Sequence, residues 1–290
     1  MRNYKSLSCL CGVVVLSAQM AQAELVELGG GSYHFFDDGY SSLVVVGDDS
    51  VLVSDPAWTD RAEKMKREIS ELTDKPISHV VLSHEHYDHA GGSEVFESAD
   101  IVCHDSCQEF FDLDVLGTAP ETVTLSFADK LSIDLGNKSV DLYHWGSGDG
   151  VASTVLHVPS DGVAALSDLY EGPQSLTDEM WLDDKNVLGA RLILNNIAAW
   201  DLNHVIGGHS DNTDPEVLKE HAQFHNDLYE AVKTRLDEII AAEGVNGAWK
   251  ALGGSLQSEI RLPQYASWSG YDENIESHVW RTGMSIMHGG

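Results

Sequence analysis

The chain has 290 residues, enough for one large α/β domain with a substantial buried core. Its 42% hydrophobic content and seven tryptophans exclude a disordered polypeptide. With 47 acidic against 17 basic side chains the formal charge is −30, a field that repels polyanions and argues against a nucleic-acid partner.

Arg2 and Lys5 make a short basic start, and Leu7 to Ala18 is a mostly apolar run too short to remain across a bilayer. Ala21-Gln22-Ala23 is an Ala-x-Ala cleavage signal, so residues 1–23 read as a secretory signal peptide. Cys9 and Cys11 lie within that run without the context of a lipid-anchored N-terminus. The mature chain, from about Glu24, is expected to be periplasmic or secreted. No later apolar stretch is long enough for a transmembrane helix, and no membrane partner is expected. Cys103 and Cys107 remain in the mature chain, and an exported compartment allows either a local disulfide or two packed thiols.

The mature sequence opens with short strands and turns. Ser41 to Val46 and Val51 to Ser54 are β-branched runs around Gly47-Asp48-Asp49, and the second ends in Asp55-Pro56. Arg61 to Leu72 has helical spacing and stops before Pro76. The strand His79 to Leu82 runs into His84-Glu85-His86-Tyr87-Asp88-His89, and Gly91 to Phe96 begins another helix. Ile101 to Cys103 is a strand and Ser106 to Phe111 a helix. Strands follow at Val123 to Phe127, Leu131 to Leu135, Ser139 to Trp145, Thr154 to Val158 and Gly162 to Leu166. Asn186 to Trp200 is an amphipathic helix. The strand His204 to Ile206 ends in Gly207-Gly208-His209, and Pro215 to Glu243 is a long charged helix. Residues 24–243 therefore read as one domain, and 244–290 as a C-terminal extension packed on it.

Three imidazoles and two carboxylates within six residues exceed any packing need. Imidazole nitrogen and carboxylate oxygen are the donors for zinc and related divalent ions, so the run reads as half of a two-metal site. Other donors, Asp149, Asp168 and His209, sit at later strand ends, where layered α/β folds build their sites.

The order of these motifs resembles that of the metallo-β-lactamase-fold hydrolase superfamily over essentially the whole mature chain. The matching positions are Asp55, the run His84, His86, Asp88 and His89, then Asp168, and finally Gly208-His209. The resemblance implies an αββα sandwich: two facing mixed β-sheets, helices outside, metals at one edge. The third motif departs from the family pattern. Its histidine ordinarily follows a Gly ten residues before a strand-ending Pro; counting back from Pro159 reaches Asp149, after Gly148, while His144 lies five residues earlier. Asp149 is the first choice for that position and His144 the second.

By resemblance, His84, His86 and the third-motif residue hold one metal, Asp88, His89 and His209 hold the other, and Asp168 bridges. Asp88 also orients the attacking water, and Asp55 fixes the ligand loop from behind. Two divalent ions are implied, zinc foremost; a carboxylate in place of an imidazole shifts the preference toward iron or manganese. Trp58, Tyr87 and Trp145 are candidates for an aromatic substrate rim, and Trp181 follows Asp168 in the long connection. The remaining histidines, His104 among them, read as surface or packing residues. The leading function is an exported hydrolase of a small-molecule ester-like bond: lactone, thioester or amide, with β-lactam in the same set. An iron oxidoreductase and a catalytically reduced metal-binding protein are the alternatives. The sequence leaves the oligomeric state open.

Overall fold

The computed structural model describes residues 24–182 and 185–289. The expected signal peptide, with Cys9 and Cys11, lies outside the described residues. The first sheet has seven strands in chain order. β1 (Glu24–Gly29), β2 (Ser32–Asp37), β3 (Tyr40–Val46) and β4 (Val51–Ser54) pair antiparallel. β5 (Ile77–Val81), β6 (Asp100–His104) and β7 (Leu125–Phe127) extend it in parallel. The second sheet contains β8 (Lys130–Asp134), β9 (Ser139–Tyr143), β10 (Val155–Val158), β11 (Val163–Ala165) and β12 (His204–Ile206). Its spatial order is β12-β11-β10-β9-β8, and only β11 and β12 run parallel.

Alternation along the strands builds the layers. Leu43, Val45 and Leu52 point between the sheets, where they meet Leu142, Leu156 and Val163. Val44, Val51 and Val53 point to the opposite face and pack under α1 (Thr59–Leu72) through Ala62, Met65 and Ile69. The second sheet is covered by α4 (Val187–Ala198) and the start of α5 (Pro215–Glu243). This is the helix–sheet–sheet–helix sandwich that the resemblance implies. Short helices α2 (Tyr87–Ala90) and α3 (Cys107–Phe111) lie near the first sheet's site edge. The helix expected from Gly91 is instead a break at Gly91-Gly92 followed by one 3-10 turn, Ser93–Phe96. Gly92 has φ +76°, and a Cβ on it would meet the Trp58 backbone at 2.7 Å. Cys103 and Cys107, both buried, form a disulfide that ties the end of β6 to the start of α3.

Beyond α5 come α6 (Val245–Leu252), α7 (Leu256–Glu259) and α8 (Tyr271–His288). They share a core with the later turns of α5, where Phe224, Leu228, Val232 and Leu236 meet Leu252, Leu256, Ile275 and Val279. Gly244, at φ +75°, ends α5 and turns the chain back.

Candidate metal centre

The histidine-rich run leaves the C-terminal end of β5, and Asp55 leaves the neighbouring end of β4. Asp55 has φ +40°, and its buried carboxylate is fixed on both oxygens. Oδ1 accepts the Ser83 N–H at 2.8 Å; Oδ2 accepts the Ser167 hydroxyl at 2.7 Å and lies 3.4 Å from His89 Nδ1. A carboxylate behind one imidazole nitrogen turns the other toward the cleft. The Ser83 hydroxyl, 2.8 Å from His84 Nδ1, does the same for His84.

Seven donors converge as two groups, His84, His86, Asp149 and Asp168 in one and Asp88, His89 and His209 in the other. Within each, the candidate ligand atoms lie within 4.8 Å of one another. Asp168 stands between them. Its Oδ2 is 3.9 Å from His84 Nε2 and 3.0 Å from His89 Nε2; its Oδ1 is 3.3 Å from His209 Nε2. Asp168 has φ +64°, and a Cβ at residue 208 would sit 1.9 Å from its Oδ1, so Gly208 is needed for His209 to approach.

Asp149 reaches the first group from the loop before β10. Its Oδ2 is 3.4 Å from His84 Nε2 and 3.3 Å from His86 Nδ1. Glu85 positions that loop: its buried carboxylate accepts the N–H groups of Val151 at 2.7 Å and Ala152 at 3.0 Å. His144 joins neither group. Its Nδ1 is 2.9 Å from the Ser153 carbonyl and its ring stacks on His104 at 3.8 Å.

Burial strongly disfavours charge here, and His84 is held well below the usual imidazole range by burial and by its neighbours His89 and His86. For His89, burial is outweighed by Asp168 and Asp55, which raise it well above that range. For Asp168, burial is outweighed by His89 and His209, which hold it well below the carboxylate range. Burial raises Asp149, against His86 and Lys185. His84 Nε2, His89 Nε2, Asp149 Oδ1 and Asp168 Oδ1 are buried without a hydrogen-bond partner among the described residues. Orphaned inward nitrogens and oxygens of this kind suit a cation as their common partner.

An inner cleft of about 290 Å³ lies over both groups. Tyr40, Glu171, Trp181 and Lys185 complete its wall. The Tyr40 hydroxyl donates to Asp88 Oδ2 at 3.0 Å; burial and Asp88 both raise its pKa. The buried Lys185 donates to the Asp168 carbonyl and lies 3.6 Å from Asp149 Oδ1. The sequence carries no signal for Tyr40, Glu171 or Lys185, because single polar residues in loops read as surface. Of the aromatic rim candidates, Tyr87 lines an adjoining hollow and Trp58 meets Tyr40 edge-on at 5.0 Å. Trp145 is a correction. It shares the outward-facing register of Tyr143 and packs with Tyr143 and Trp200, at 5.3 and 5.6 Å, away from the cleft.

Comparison with known proteins agrees with this architecture. A 2,4-dinitroanisole O-demethylase subunit alpha from Nocardioides sp. (strain JS1661) is 26% identical over 153 residues, 50% of this chain and 46% of that protein. This chain thus spans about half the length of that relative. A metallo-beta-lactamase from Pontibacter korlensis superposes with a TM-score of 0.60 at 16% identity, covering 71% of this chain and 99% of that one, a likeness of fold. The profile of the Metallo-beta-lactamase superfamily matches residues 36–239, the segment that contains all seven clustered donors, and the chain belongs to that superfamily.

Proposed function

We propose that the protein is an exported, metal-dependent hydrolase of an ester-like bond in a small molecule: a lactone, a thioester or an amide. One observation carries the reading: two donor groups share Asp168 and aim buried, unpartnered atoms at a common cleft. His84, His86 and Asp149 would hold one cation, Asp88, His89 and His209 the other, with Asp168 between. Two divalent ions held there, zinc foremost, would supply Lewis acidity toward a carbonyl and would lower the pKa of a water. Asp88, held by the Tyr40 hydroxyl, is placed at the cleft to accept a hydrogen bond from the attacking water. Asp55 keeps His89 aimed inward. Water's oxygen joins the carbonyl carbon, the bond to the leaving heteroatom breaks, and water's proton ends on that heteroatom. The N-terminal 23 residues support export.

The test is metal content and turnover of protein purified without added metal. The expected result is two equivalents of a divalent ion and hydrolysis of at least one member of an ester, lactone, thioester and amide panel. Chelation should abolish both, and Asp168→Asn should lower both. Iron with visible absorption and oxygen consumption would move the chain to oxidoreductase chemistry. An aryl methyl ether belongs in the panel, because the Nocardioides relative is named an O-demethylase subunit. Full metal occupancy with no turnover across the panel would sink the hydrolase reading.

A further inference from the structure

A second hollow of about 840 Å³ opens off the inner cleft and shares His86, Asp88 and Trp181 with it. Its apolar lining comes from Tyr87, Phe110, Leu116, Val151 and Trp181. Four polar side chains in its wall, Glu85, Tyr87, Asn186 and Arg281, are engaged with protein partners. The Glu85 carboxylate takes two backbone N–H groups, and the Tyr87 hydroxyl donates to the Phe110 carbonyl at 2.9 Å. Asn186 Oδ1 caps α4 at the Gly189 N–H, 2.8 Å away, and Arg281 donates through Nε and Nη2 to the Lys185 carbonyl. Carbon dominates the surface that remains. Leu116 is 71% exposed, Trp181 57% and Val151 39%, in a chain whose formal charge is −30. Large apolar side chains left in water around one concavity mark a binding surface.

The geometry points to an uncharged amphiphile as the substrate, its reacting bond over His86 and Asp88 and an alkyl chain in the groove between Leu116 and Trp181. This rests on the hydrolytic reading of the metal centre. Continuity selects the occupant: whatever fills the groove next to His86 and Asp88 is the same molecule that meets the reacting groups. The chain's negative field selects against an anionic head. Complete burial of a methylene multiplies affinity about fourfold, and a groove open on one side supplies about half of that free energy, or about twofold per methylene.

Two measurements test this. The first is kcat/KM for methyl esters from acetate to heptanoate. It should rise roughly thirtyfold across the series, and Leu116→Asp should flatten the slope. Leu192→Asp, an equally apolar exposed site on α4 away from the groove, should retain it. A flat series in the wild type, or an unchanged slope in Leu116→Asp, overturns the proposal. The second measurement needs neither turnover nor metal: decanamide, and not acetamide, should change tryptophan fluorescence saturably, and Trp181→Phe should remove the response. If no methyl ester is cleaved, the hydrolytic reading fails for that class and decanamide binding decides the groove. Binding to phosphatidylcholine vesicles that Leu116→Asp abolishes, with no response to decanamide, would assign the apolar rim to a lipid surface instead.

Discussion

At the scale of the residue, the Asp149 position is the most informative. A carboxylate stands where the family pattern has a neutral imidazole, which adds a negative charge to an already acidic pocket. Lys185 returns a positive one: its ammonium is 3.6 Å from Asp149 Oδ1, leaving Oδ2 to face His84 and His86. Asp149→Ala should therefore lose about one equivalent of metal by plasma mass spectrometry, whereas His144→Ala should keep the wild-type content. Equal losses in the two variants would mean that the loop is arranged differently in the loaded protein. The donors were legible because their density within six residues has no packing explanation. Arg61 was not. Among the charges of α1 it reads as surface, yet it is fully buried and donates to the Ser42 hydroxyl and the carbonyls of Asp55 and Tyr40. Burial lowers it to about 10, against Asp37 and Asp55, and through the Asp55 carbonyl it holds the turn that orients His89. Nothing in a single sequence separates a helix arginine facing water from one that reads six backbone and hydroxyl oxygens.

At the scale of the element, the long connection between β11 and α4 carries Asp168, Trp181 and Lys185 with little regular structure of its own. The C-terminal helices brace it. Asn274, His278 and Arg281 share one face of α8 at spacings of four and three. Asn274 Oδ1 accepts the Glu179 N–H at 3.3 Å, His278 Nε2–H donates to the Thr177 carbonyl at 3.0 Å, and Arg281 donates to the Lys185 carbonyl at 2.9 and 3.1 Å. Residues 174 and 269 add a backbone rung, the Ser269 N–H meeting the Gln174 carbonyl at 2.8 Å. These helices lie beyond the residues matched by the superfamily profile. Arg281→Ala should lower unfolding free energy in urea by about 1–2 kcal/mol, since charge-assisted bonds at a half-exposed site fall at the low end of their range. It should also weaken metal retention against a chelator several-fold by releasing Lys185. Unchanged retention would reduce α8 to a packing helix. The sequence hid α8 for a physical reason. Its inner face buries Asn274, His278, Thr282 and Ser285 alongside Ile275 and Val279, so the apolar period that marks a helix is broken where carbonyls are being served. The sheets were legible because strands buried on both faces are continuous apolar runs rich in β-branched residues, as in Leu43 to Val46 and Val51 to Val53.

At the scale of the whole molecule, an acidic surface encloses several buried neutral histidines. His34, His221 and His278 are each lowered to about 4, burial being the main cause. The Asp211 carboxylate opposes this at His34, where Arg61 and His204 assist; the Gly172 and Thr177 carbonyls oppose it at His221 and His278. In the unfolded chain these imidazoles titrate near 6.5. Above that value neither state binds the protons and the histidines leave stability unchanged. As pH falls from about 6.5 toward 4, the unfolded chain takes up protons that the folded chain refuses, so stability is lost across that window. Asp161 acts in the same sense lower down. Burial opposes its charge, but Lys138 and the Ser32 and Ser160 hydroxyls lower its pKa, and the stability this gives disappears as pH falls through the carboxylate range. Urea unfolding should therefore show a plateau above pH 7 and a loss of roughly 5 kcal/mol by pH 5, a little under 2 kcal/mol from each of the three histidines. His221→Gln, which can still donate toward the Gly172 carbonyl but does not titrate, should make that slope shallower even if it lowers the plateau. A stability maximum near the sequence pI of 4.5 would contradict this, because relief of surface repulsion would then outweigh proton uptake by the unfolded chain.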